Sequence, residues 1–180
     1  HLRVVNSLAE GLKSPVSPIL LGASDKGIAP IHKFTSINPL ARAIMEWVQQ
    51  GKPQEIYAYF YRNYLKSRSG KLYSEIIEAV GERLEVPKKI VFCCTHFDIG
   101  HQLSVIREKL EKDLNAKIYV ILQVTDDSPQ SAWYVPNMDL IFVPSEYTKK
   151  ELEAYAKKNN LGYSKIEVLP YPVNPFLAEK

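Results

Sequence analysis

The sequence predicts an α/β domain: a doubly wound, Rossmann-like parallel sheet with helices on both faces. Two patterns carry that prediction. Short runs such as IVFCCT from Ile90 and KIYVILQVT from Lys117 are apolar throughout, and 3.6-residue patterns separate them. Strands without an alternating polar face belong to parallel sheets covered on both sides. Composition agrees, since 180 residues with 46% hydrophobic and 24% charged residues suffice for one domain with a sizeable core. Disorder is excluded by that apolar fraction and a net charge of only +3.

Taken in order, Val4, Val5, Leu8 and Leu12 predict a helix over residues 2–13, stopped at Ser14-Pro15. Pro18 to Gly22 reads as a short buried strand, and residues 23–38 as a loop. Asn38 caps the next helix with Pro39 in its first position, running through Ile44, Trp47 and Val48 to Gly51. A helix over about 54–66 follows, then one from Leu72 through Ile76, Ile77, Val80 and Leu84. The second half alternates clearly: strand 89–95, a helix from Asp98 through Leu103, Ile106 and Leu110, and strand 117–125. Strand 139–143, a Ser145-capped helix through Leu152 and Tyr155, and strand 165–169 complete it. Residues 1–170 therefore form one domain, and 171–180 begin a linker.

No apolar run approaches the roughly 18 residues of a membrane span, and no signal peptide opens the chain. The two cysteines, adjacent at Cys93 and Cys94, cannot frame a disulfide fold, so a cytoplasmic, reducing compartment is expected. Their side chains leave opposite faces of one strand, which argues for small core residues and against a shared metal. No metal ligand set is predicted, because His96 and His101 are five apart and miss the i, i+4 zinc pair. Neither a G-x-G-x-x-G nor a P-loop is present.

Ligands of open parallel sheets bind beyond the carboxyl ends of the strands. There the sequence has Thr95-His96-Phe97-Asp98 and Thr125-Asp126-Asp127, and His1 precedes the first predicted helix. His1, His96 and Asp126 are thus expected at one sheet edge, where a carboxylate-oriented His takes a proton from a hydroxyl. The bland alternatives are turn or cap roles for Thr125-Asp126, backbone bonding for His96, a solvated turn at Asp127, and surface roles for His32 and His101.

From Ile56 to Ser74 the chain carries Tyr57, Tyr59, Phe60, Tyr61, Tyr64 and Tyr73 with Arg62, Lys66, Arg68 and Lys71, and no acid. Interleaved aromatics and cations suit a membrane interface or an acceptor surface formed by Tyr57, Tyr61, Arg62, Lys66 and Arg68. The competing reading makes Tyr57, Phe60, Tyr61 and Tyr64 a core stripe with solvated cations. Base stacking would use the same groups, but without a concentrated basic patch nucleic acid is not the expected partner.

Residues 124–176, VTDDSPQSAWYVPNMDLIFVPSEYTKKELEAYAKKNNLGYSKIEVLPYPVNPF, resemble the amino-terminal domain of GT-B glycosyltransferases. The likeness is to the monogalactosyldiacylglycerol synthase and MurG-like group. It rests on Thr125-Asp126, Trp133, Asp139, Val143-Pro144-Ser145-Glu146 and Pro172-Val173 in that order. Thr95-His96-Phe97 looks like the group's THP segment, and His1 like the His that closes its GGH motif. The resemblance implies one half of a GT-B architecture, with Thr95, Phe97, Thr125 and Trp133 on the acceptor side. It also implies a His general base, a UDP-sugar-type donor and a hydroxyl acceptor, with lipids one class among those open. This domain itself would bind no cofactor, and the donor domain would follow Lys180. The group's glycines before His1 and a His near Gln130 are absent. Elements shared with retaining enzymes, SEYTKKEL and PVNPF, stand beside the inverting pattern. A nucleotide-sugar epimerase and a non-catalytic α/β binding module are the other readings.

Overall fold

The computed structural model describes residues 18–19, 21, 37–48, 51–83, 87–125, 127 and 129–169. Helix α1, Pro39–Val48, begins as predicted: Asn38 Oδ1 accepts from the Leu40 N–H at 3.0 Å, and Pro39 takes the first position. Helix α2, Gly51–Ser67, and helix α3, Ser69–Gly81, follow with only a turn at Arg68 between them. The i, i+4 steps Leu72, Ile76 and Val80 put the buried face of α3 where the periodicity expects it.

The sheet occupies the second half. Strand β1, Lys89–Cys94, leads through helix α4, Phe97–Leu114, to β2, Lys117–Gln123. A 3₁₀ turn at Ser131–Trp133 precedes β3, Leu140–Val143, and helix α5, Glu146–Lys158, returns the chain to β4, Ile166–Val168. All four strands are parallel, in the order β1-β2-β3-β4. The fold is the predicted one: α/β, with an all-parallel sheet flanked by helices. Its register aligns Cys94, Leu122, Ile141 and Ile166 in one row across the strands, each of them buried. Leu103, Ile106 and Leu110 of α4 and Leu152 of α5 join these residues in a single core. Each such fully buried aliphatic side chain contributes about 1.5–3 kcal/mol.

Three features depart from expectation. Strand β1 is not buried on both sides, for Val91 and Cys93 are exposed while Cys94 is buried. Cys93 is therefore not a core residue. Burial pushes the Cys94 thiol up to about 12, so it stays neutral. In the predicted run 18–22, Pro18, Ile19 and Leu21 lie outside any strand, although Leu21 packs against the core. Leu20, Gly22, the predicted helix 2–13 and the linker 171–180 lie outside the described residues.

The connection from β2 to β3 buries Ser131 through Val135 in sequence. Polar contacts hold that stretch: Tyr134 Oη donates to Gly162 O at 2.8 Å, and Ser164 Oγ donates to Val135 O at 2.8 Å. A Cβ at Gly162 would meet the end of the Asn137 side chain, which would have to shift. Asp139 is committed to structure. It accepts from the Val120 N–H at 2.7 Å and pairs with Arg107 at 3.0 Å, bracketing α4 against β2.

Candidate functional site

Two strand-to-helix junctions stand at the carboxyl end of the sheet, where loops can present polar groups. Between β1 and α4, His96 is the N-cap, with Nδ1 accepting from the Asp98 N–H at 3.3 Å. Between β3 and α5 the N-cap is Ser145, as predicted, with Oγ accepting from the Thr148 N–H at 3.2 Å. An imidazole is a rare substitute for a hydroxyl at this position.

Its surroundings explain it. The Asp98 carboxylate, 3% exposed, lies in the first turn of α4, where the positive helix end favours an anion. Its Oδ2 stands 3.4 Å from His96 Nδ1 and accepts from Tyr61 Oη at 3.3 Å. Nδ1 therefore has two alternatives. Unprotonated, it accepts from the Asp98 N–H and the proton sits on Nε2. Protonated, it faces the Asp98 carboxylate, and Nε2 becomes the atom that takes a proton.

An aromatic wall backs the pair. His96 stacks on Phe97 at 4.6 Å between centroids, and Phe97 meets Trp133 edge-on at 5.1 Å. Tyr61 packs edge-to-face on Phe97 at 6.0 Å and stacks on Tyr57 at 5.1 Å. Burial, and then the charge of Asp98, raise the Tyr61 phenol pKa, so it remains a donor.

His101 lies beneath, 1% exposed, and does not have the surface role expected of it. Its Nε2 bonds to Ala132 O at 3.0 Å, an acceptor, so Nε2 carries the hydrogen and Nδ1 is bare. Burial lowers its pKa to about 4 against the opposing bond to Ala132, and the charges of Arg62 and Lys66 lower it further. Arg62 is also inside, 6% exposed, which removes it from the surface predicted for it. The guanidinium donates to Tyr155 Oη at 3.1 Å and lies 5.8 Å from the centre of that ring. The buried stripe of α2 is Ala58, Arg62 and Leu65, one residue displaced from the aromatic stripe; Phe60 and Tyr64 are exposed.

Among the described residues, the buried side-chain atoms without a hydrogen-bond partner are Arg62 Nε, Asp98 Oδ1 and His101 Nδ1. All three belong to the contact between α2 and the first turns of α4. They amount to one donor and two acceptors. No three His, Cys, Asp or Glu side chains gather as a metal site among the described residues.

Searches of protein-family models, curated proteins and solved structures return no match to this chain.

The structure brings together His96, Phe97, Trp133, Tyr57 and Tyr61, with Thr95 buried at the end of β1. Trp133 is 1% exposed, so it serves as the wall behind His96 rather than as an open contact surface. Thr125 lies three residues beyond Leu122, the partner of Cys94 in the sheet. Lys66 is half-buried, and Arg68 is exposed at the end of α2. His1, His32 and Asp126 lie outside the described residues. Asp127 is not a merely solvated turn residue, because its Oδ1 accepts from Ser145 Oγ at 2.7 Å and Thr148 Oγ1 at 2.9 Å.

Sequence reasoning missed the buried roles of Asp98, His101 and Arg62. The stripe Leu103, Ile106 and Leu110 marks only the sheet-facing side of α4. At its amino end α4 is also covered by α2 and the 131–133 turn, and that second face leaves no periodic signal.

Proposed function

We propose that this chain is the acceptor-side domain of a sugar-transferring enzyme of GT-B type. The donor is a nucleotide sugar such as a UDP-sugar, and the acceptor is a hydroxyl compound, with lipids one class among those open. The observation that carries the reading is the His96–Asp98 pair at the carboxyl end of a parallel strand. With Nδ1–H directed at the Asp98 carboxylate, His96 Nε2 takes the acceptor proton as the hydroxyl oxygen attacks the sugar's anomeric carbon. Asp98 stabilises the imidazolium as it forms, and departure of the nucleoside diphosphate completes an inverting displacement. Phe97 and Tyr61 hold the base in place. In this reading His96 takes the role the resemblance gives to His1, and His1 and Asp126 remain candidates to assist it.

Incubation of the full-length protein with labelled nucleotide sugars and hydroxyl acceptors tests the proposal. Nucleotide release coupled to a glycosylated acceptor is expected. A rearranged or eliminated sugar without acceptor labelling would identify an epimerase-like enzyme instead. Sugar left intact across donors and acceptors would identify a binding module. His96→Ala and His1→Ala, compared in parallel, show which imidazole is the base.

A further inference from the structure

Arg62 Nε, Asp98 Oδ1 and His101 Nδ1 share a buried contact, and no protein group bonds to any of them. Each of the three residues is more than nine-tenths buried. Asp98 and His101 stand three apart on α4 and so share one helix face. Helix α2 brings Arg62 to that contact beside Tyr61, whose hydroxyl reaches Asp98 Oδ2 at 3.3 Å. The charges of Arg62 and Asp98 both act on the His101 ring. Two of these side chains are already held at another atom. Arg62 Nη2 donates to Tyr155 Oη at 3.1 Å, and His101 Nε2 donates to Ala132 O at 3.0 Å. Those bonds fix the planes of the guanidinium and the imidazole. A buried group without a partner costs more than a made bond gains, so nearly all such groups in folded proteins bond to protein or to ordered water.

The chemistry of the three atoms selects the occupant. An anion would face a carboxylate and a bare imidazole nitrogen, and a cation would face a guanidinium. An alcohol has one hydrogen to offer two acceptors. Water has two, and it accepts in return, so one molecule serves all three groups. We propose that a single internal water is bound here, accepting from Arg62 Nε and donating to Asp98 Oδ1 and His101 Nδ1. Through it Arg62 and His101 act as positioning residues. The Asp98 carboxylate is then fixed by the water at Oδ1 and by Tyr61 at Oδ2, and it presents Oδ2 to His96 Nδ1. That service to His96 rests on the sugar-transfer reading; the water site itself does not.

Oxygen-17 magnetic relaxation dispersion on the full-length protein counts long-lived internal waters and tests the site. His101→Gln keeps a donor for Ala132 O but removes the Nδ1 acceptor, and it should lower the count by one. His101→Asn keeps an acceptor at the Nδ1 position and gives up the Ala132 bond, and it should leave the count as in wild type. An unchanged count in His101→Gln, or an equal fall in both variants, overturns the site. Where a variant fails to fold, a crystal structure of the wild-type protein decides. A water within hydrogen-bond distance of all three atoms is expected there, and a dry contact or a direct Arg62–Asp98 ion pair overturns the proposal. Steady-state kinetics read the positioning role. His101→Gln should lower kcat for sugar transfer about tenfold with KM nearly unchanged, and His101→Asn should restore most of that loss. Loss of the water with kcat unchanged overturns the positioning role. A protein that holds the water and transfers no sugar overturns the proposed function and leaves the site standing.

Discussion

The β1–α4 and β3–α5 junctions share one geometry and end in different chemistry. Each leaves a parallel strand and turns into a helix whose first turn is capped by a side chain from the preceding residue. At Ser145 the polar groups satisfy one another, for the hydroxyl accepts from the Thr148 N–H and donates to Asp127, which also accepts from Thr148 Oγ1. At His96 they do not. A buried carboxylate keeps one oxygen without a partner, and a buried imidazole keeps one bare nitrogen. A closed network stabilises a helix end; one left with buried, unused capacity invites a ligand. The difference lies in what covers each junction, since α2 brings Tyr61 and Arg62 onto the first and nothing comparable onto the second among the described residues.

The comparison breaks first at His96. If this junction is the reactive one, His96→Ala lowers kcat for sugar transfer by about 10²–10⁴-fold, while loss of the cap costs only about 1 kcal/mol of stability. Ser145→Ala should leave kcat nearly unchanged. Steady-state kinetics on both variants decide it, and near-wild-type turnover by His96→Ala would remove the base from this junction.

The next effect is on pH dependence. His101 has a folded pKa of about 4 against an ordinary value of 6.5. Between those values the unfolded chain binds the proton and the folded chain does not, so stability falls as pH drops from about 6.5 to about 4 and then levels off. The full excursion amounts to about 3 kcal/mol. Urea unfolding across this range should show that loss, and His101→Gln should flatten it. An equal slope in the variant would mean that other groups carry the acid sensitivity.

Smaller effects belong to the closed junction. Ser145→Ala removes the cap and should cost about 1 kcal/mol, read as a lowered denaturation midpoint. Asp127→Ala removes the acceptor of two hydrogen bonds at a more exposed position and should cost less, about 0.5–1 kcal/mol. Because both act through one network, the double variant should lose less than the sum. Strict additivity would show that the Ser145–Asp127 contact contributes nothing in solution.

Much of the fold was legible because its signals are local. Asn38-Pro39 and Ser145 declare helix starts through their own backbone bonding. The apolar runs at β1, β2 and β3 declare strands whose parallel pairing follows from the helices or long connections between them. His96 was also legible as a residue at a strand end. Its cap role and its carboxylate were not, since Asp98 first read only as the start of a helical pattern.

The amino-acid sequence alone therefore determined the α/β class, the order of elements and the end of the sheet at which polar groups collect. Tertiary structure decided which side of each element is covered a second time. A helix pattern marks the stripe that meets the sheet, but α2 buries a different side of α4, taking in Asp98 and His101. The small side chain of Ala58 lies on the same buried stripe, so Arg62 is drawn inside while Phe60 and Tyr64 turn outward. Cys93 and Cys94 make the same point on a strand: the alternation was written in the chain, and only packing selected Cys94 for the core. Periodicity records one interface per element, and a residue buried by a second is set by contacts between segments far apart in the chain.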